Sequence, residues 1–70
     1  MKVTQKDRDF LIKILNISND ELEKIFDKVK ELPEDGDICK ETYVNSLCEN
    51  KSGRDIYEIK KILLTRLFAE

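Results

Sequence analysis

The chain has 70 residues, of which 40% are hydrophobic and 40% are charged, and its net charge is −2. This length suits one domain, which we expect to span residues 1–70. There is no histidine and there are two glycines. We therefore expect neither acid–base catalysis by histidine nor a glycine-rich phosphate loop. No apolar run approaches the roughly 20 residues of a membrane span. We therefore expect a non-catalytic, cytoplasmic protein without a cofactor.

Three segments place a hydroxyl residue three positions before an acid: Thr4 to Asp7, Ser18 to Glu21 and Ser52 to Asp55. This spacing is typical of the capping box, in which each side chain bonds the backbone N–H of the other residue at the start of a helix. Each box precedes apolar residues at helical spacing. The sequence therefore predicts an all-α domain of four short helices with the C-terminal helix as its hub, at about residues 4–16, 18–32, 38–50 and 53–69.

The first predicted helix carries apolar residues over more than half of its circumference, from Phe10 to Leu15. Asn16 follows and tolerates the left-handed conformation that ends many helices. Because Ser18 already caps the next helix, the two helices should meet in a tight corner.

The second predicted helix has one apolar stripe and an acidic outer face. Residues 18–37 carry eight acids and three lysines. Pro33 ends the helix because proline disfavours helical geometry in the residue before it. We expect the acidic face to bind a partner protein with a basic surface, through Asp20, Glu23, Asp27 and Glu31.

A polar turn separates the second helix from the third, which Asp37 is expected to cap. The segment Asp35-Gly36-Asp37-Ile38 resembles the middle of an EF-hand loop, but Glu31 and Thr42 occupy the two strongest ligand positions of that family. We expect no metal site. Cys39 and Cys48 would lie about 13 Å apart on one helix, too far for a disulfide.

The fourth predicted helix is apolar over roughly 240° of its wheel. One face holds Ile56, Ile59, Ile62, Leu63 and Leu67. The surplus side chains predict either a central helix or a second binding surface for a protein partner or a second copy. Its members are Tyr57, Leu64 and Phe68, with Lys61 at the rim.

Residues 11–26 resemble a helix-turn-helix unit. The matching features are Leu11 and Leu15 on the first helix, Ile17 at the turn, the Ser18 cap, and Leu22 and Ile25 on the second helix. Ile12 and Asn16 depart from the small residue and the glycine usual in that family. The resemblance implies a recognition helix at Ser18–Phe26, exposing Asn19, Asp20, Glu23, Lys24 and Asp27.

Three possibilities remain open from the sequence, and the third of them is a purely structural oligomer. The first is a non-catalytic protein-interaction module, acting as a small regulator, adaptor or inhibitor that occupies a partner surface, with a nucleic-acid-binding protein as one candidate partner. The alternative is a helix-turn-helix DNA-binding regulator. We favour the first because the recognition face would be net negative, whereas DNA binding gains its affinity from cations. Bases at Lys6, Arg8 and Lys13 keep the alternative open.

Overall fold

A computed structural model describes residues 1–70 and contains four α-helices with no strand. The helices are α1 (Gln5–Leu15), α2 (Asn19–Glu31), α3 (Lys40–Leu47) and α4 (Gly53–Leu64), and a 3-10 turn (Arg66–Phe68) follows α4. The predicted all-α fold is confirmed. α4 is the hub, since it packs against α1, α3 and the 3-10 turn, while α2 packs against α1 and α3. α2 and α4 therefore lie diagonally across the domain.

The first two capping boxes form as the sequence predicts. Thr4 and Ser18 accept from the backbone N–H groups of Asp7 and Glu21, and both acids accept from the N–H of their cap residue. The third box forms only by half, because Ser52 accepts from Asp55 N–H without a reciprocal contact.

The corner between α1 and α2 also follows the prediction. Asn16 adopts the left-handed conformation, with φ 55° and ψ 54°. The N–H of Ile17 donates to Ile12 O over 3.1 Å, a bond that satisfies a free carbonyl at the end of α1. Three residues thus suffice to connect α1 to α2.

The third helix is shorter than predicted. α3 starts at Lys40, and its N-cap is Cys39 rather than Asp37. Lys40 N–H donates to Pro33 O over 3.0 Å, which holds residues 34–39 outside the helix. Ile38 is consequently exposed rather than part of the apolar side.

The fourth helix also ends early, at Leu64 instead of residue 69. Thr65 leaves helical geometry with φ −125°, and the 3-10 turn redirects the chain so that Leu67 is buried. The core combines buried side chains from all four helices and this turn: Leu11, Leu22, Ile25, Phe26, Val29, Val44, Cys48, Ile59, Ile62, Leu63 and Leu67.

Candidate interaction surface

The outward face of α4 carries the most exposed large apolar side chain within the four α-helices, although Ile38, in the turn before α3, is exposed to 71%. Ile59, Ile62 and Leu63 point into the core, so the residues on the opposite side of α4 face outward. Tyr57 is 62% exposed there, and the half-buried Leu64 lies two turns along the same line. Both belong to the surface that the sequence predicts.

Cations surround Tyr57 on this face. At 100° per residue, Arg54, Lys60, Lys61 and Leu64 fall within about 60° of Tyr57, and the arc contains no carboxylate of α4. The ammonium nitrogen of Lys61 lies 5.7 Å from the centroid of the Tyr57 ring, within reach of a cation–π contact. The surface predicted from the sequence contains Lys61 but not Arg54 or Lys60, although the same angular count places them beside Tyr57. We call Arg54, Tyr57, Lys60, Lys61 and Leu64 the α4 face.

Phe68 is set apart from Tyr57 because it lies in the 3-10 turn. It is 42% exposed and lines a shallow hollow with Leu64, Glu34, Lys40 and Glu41. Leu64 thus connects the two ends of the predicted apolar flank, which differ in charge. The Tyr57 end of this flank is cationic, whereas its Phe68 end carries both signs of charge.

Lys40 connects Phe68 to the C-terminal end of α2. Its side chain donates to the carbonyl oxygens of Lys30 and Leu32 at the end of α2, and its ammonium nitrogen lies 5.2 Å from the Phe68 ring centroid. The residue is only 9% exposed. A cation at this position complements the negative end of the α2 dipole. Nothing in the sequence around Lys40 predicts its burial.

The acidic face of α2 forms one line on the exposed side of the helix. Asp20, Glu23, Asp27 and Glu31 are all exposed. Glu23 is paired with Arg8, so three carboxylates remain without an ion pair. We call Asp20, Asp27 and Glu31 the acidic stripe.

Arg8 joins α1 to α2 across the helix-turn-helix-like corner. Its guanidinium carbon lies 5.3 Å from the centroid of the buried Phe26 ring. It donates to Asn19 Oδ1 over 3.3 Å and to the Glu23 carboxylate. The side chain is 17% exposed. A base and an amide that DNA recognition would use are therefore bonded to each other at the surface of the protein.

An open cleft of about 820 Å³ separates the start of α1 from α4. The Asp7–Arg66 ion pair lies in its wall. Asp7 uses both carboxylate oxygens, one for Arg66 and the other for the N–H of Thr4. This carboxylate therefore has a structural role.

The two thiols have opposite environments, and neither forms a disulfide. A hydrogen bond from the Thr42 hydroxyl, reinforced by the Thr42 N–H, lowers the pKa of Cys39. Burial raises the pKa of Cys48, against the nearby charges of Lys60 and Lys51. The chain has no group of three or more His, Cys, Asp or Glu side chains placed to hold a metal ion.

Comparisons of the chain with protein families, with curated proteins and with solved structures gave no match. None of the helices has the length and apolar content needed to cross a membrane.

Proposed function

We propose that this protein is a non-catalytic interaction module that acts as a small regulator, adaptor or inhibitor by covering a surface of a partner protein. One observation carries the proposal: Tyr57 is 62% exposed on α4, and Arg54, Lys60 and Lys61 lie on the same side of the helix. Exposed aromatic rings and arginine are the residue types that anchor protein interfaces.

The α4 face is well prepared for docking. The inward side of α4 is fixed by buried Ile59, Ile62 and Leu63, so binding does not require the helix itself to become ordered. Little backbone entropy is then lost on association. The cations favour a partner with an acidic surface, because complementary charges accelerate the encounter and fix its orientation.

The acidic stripe is the second candidate surface, for a basic partner such as a nucleic-acid-binding protein. It has one carboxylate fewer than predicted because Glu23 is paired with Arg8. The α4 face therefore has more of the features of a protein interface than the acidic stripe has.

Affinity capture from cells of the source organism distinguishes the two surfaces. Wild type is compared with Tyr57→Ala/Lys61→Glu and with Asp20→Lys/Asp27→Lys, all at exposed positions. We expect one partner to be retained by wild type and by the α2 variant and to be lost from the α4 variant. Equal retention of the partner by all three proteins would contradict the proposal, as would capture of nothing by wild type.

DNA binding stays the alternative, with the resemblance of residues 11–26 as its support. The bonds that Arg8 makes to Asn19 and Glu23 count against it, because they remove a cation from the surface that phosphates would meet. A duplex mobility shift that weakens steeply with salt would favour this alternative over protein binding.

A further inference from the structure

The α4 face and the acidic stripe have opposite charge and lie on opposite sides of the domain. α1 and α3 each pack against both α2 and α4, which places the two surfaces diagonally. Neither surface can reach the other within one molecule. Both are available at once on every copy of the chain.

A symmetric pairing of two α4 faces is electrostatically unfavourable. It would bring Arg54, Lys60 and Lys61 of one copy against the same three residues of the other. Like charges placed opposite each other in an interface cost several kcal/mol. The α4 face therefore needs a negatively charged binding partner.

The acidic stripe of a second copy supplies such a partner. Its three carboxylates extend from Asp20 to Glu31, over 11 positions of α2, and form no ion pair within the protein. Tyr57 and Leu64 offer apolar contact between the cations. Lysine stems on one side of the stripe, from Lys24 and Lys28, can cover the apolar side chains of the α4 face while their charges stay in water.

From this complementarity we infer that the α4 face of one copy binds the α2 acidic stripe of a second copy, so that the protein associates head to tail. This inference rests on the α4 face of the proposed function and names what occupies it when no other protein is bound. Self-association would then compete with partner binding as the protein becomes more concentrated.

The size of the α4 face limits the strength of this contact. With 12 residues, α4 is about 18 Å long and about 10 Å across. Its outward face is thus much smaller than the roughly 800 Å² per partner of a stable interface. The association is therefore weak and salt-sensitive, and it becomes detectable at about 1 mM protein.

A head-to-tail contact leaves one free surface of each kind at the two ends of a dimer. Such contacts continue into longer chains unless they close a ring. Two double variants exploit this property. Tyr57→Ala/Lys61→Ala damages the α4 face and leaves the stripe intact, whereas Asp20→Asn/Asp27→Asn does the opposite, and neither introduces a charge that could pair with the other variant.

Sedimentation equilibrium of the purified full chain tests the inference without any partner. We expect the average mass of wild type to rise above 8.3 kDa with concentration and to fall back at high salt. Each variant alone should stay monomeric, with unchanged helix content by circular dichroism. An equimolar mixture of the two should form heterodimers and nothing larger, because it contains only one intact pair of surfaces.

Three results would overturn the inference: a concentration-independent monomer mass for wild type, association that survives in either variant, or a mixture that stays monomeric. None of them affects the capture experiment above, which uses dilute immobilised protein and depends on the partner alone.

Discussion

Asp7 and Arg66 lie 59 positions apart in the sequence and join the two ends of the chain, with Arg66 Nη1 donating to Asp7 Oδ1 over 2.6 Å. The N–H of Lys2 also donates to the carbonyl of Arg66 over 2.9 Å. Asp7 is largely buried and caps α1 at the same time. One carboxylate thus fixes the start of the first helix and the position of the last turn.

Removing one partner of this pair should destabilise the fold. Arg66→Met leaves Asp7 with an unpaired, largely buried charge, so we expect the free energy of unfolding to fall by about 1–3 kcal/mol. Urea denaturation followed by circular dichroism measures the loss. Arg54→Met, in the same cleft but without an ion pair, is the matched control. A double-mutant cycle with Asp7→Asn should give a coupling energy of about 1 kcal/mol, and additive losses would contradict a direct pair.

Lys40 should stabilise the end of α2 through its bonds to two carbonyl groups. Lys40→Met retains the apolar stem but removes the charge, and we expect a loss of about 1–2 kcal/mol in the free energy of unfolding. Lys24→Met, at an exposed position in the middle of α2, is the control. Thermal unfolding of both variants measures the difference, and equal midpoints would show that the charge of Lys40 stabilises the fold no more than that of Lys24.

Asn16 should accept glycine and reject alanine. Its left-handed backbone costs a residue with a Cβ atom about 1 kcal/mol, whereas glycine adopts it freely. We expect Asn16→Gly to keep the stability within about 0.5 kcal/mol and Asn16→Ala to lower it by about 1 kcal/mol. Chemical denaturation distinguishes the two outcomes, and a stabilising alanine would show that the corner between α1 and α2 is not left-handed in solution.

The two thiols should affect stability at alkaline pH with opposite signs. Burial raises the pKa of Cys48 above its ordinary value of 9.0 in the folded chain. The unfolded chain therefore loses this proton first, and the stability due to the neutral thiol is present below pH 9 and is lost as the pH rises through the folded pKa. Cys48→Ala should flatten the fall in stability between about pH 8 and 10.

Cys39 provides the opposite case because hydrogen bonds from Thr42 lower the pKa of its thiol. Its contribution is present above the ordinary pKa and is lost as the pH falls through the folded value. Cys39→Ala should therefore steepen the alkaline decline. Thermal midpoints across the pH range test both variants. Parallel curves for the two would contradict the assigned environments.

The sequence predicted a helix boundary correctly where the bonds that form the boundary join residues close together in the chain. The Thr4 and Ser18 boxes and the left-handed Asn16 depend on bonds between residues at most four or five positions apart. The periodicity of α2 predicted its buried face because the bundle has one interior. The predicted start of α3 and the predicted C-terminal end of α4 were wrong because distant groups decide them. The carbonyl of Pro33 accepts from Lys40 N–H and keeps the residues between them outside α3, and the burial of Leu67 takes the chain out of helical geometry after α4.

The candidate surfaces could likewise be predicted only in part from the sequence. Helical spacing by itself placed Tyr57 and Leu64 on one outward face and the acids of α2 on another, since side-chain direction on a helix follows from residue number. Only the tertiary structure showed that Arg8 engages Glu23, that Lys40 lies under Phe68, and that Asp7 meets Arg66. These pairs join different elements, so their energies depend on how the helices cross, and no local spacing determines which charges remain free for another molecule.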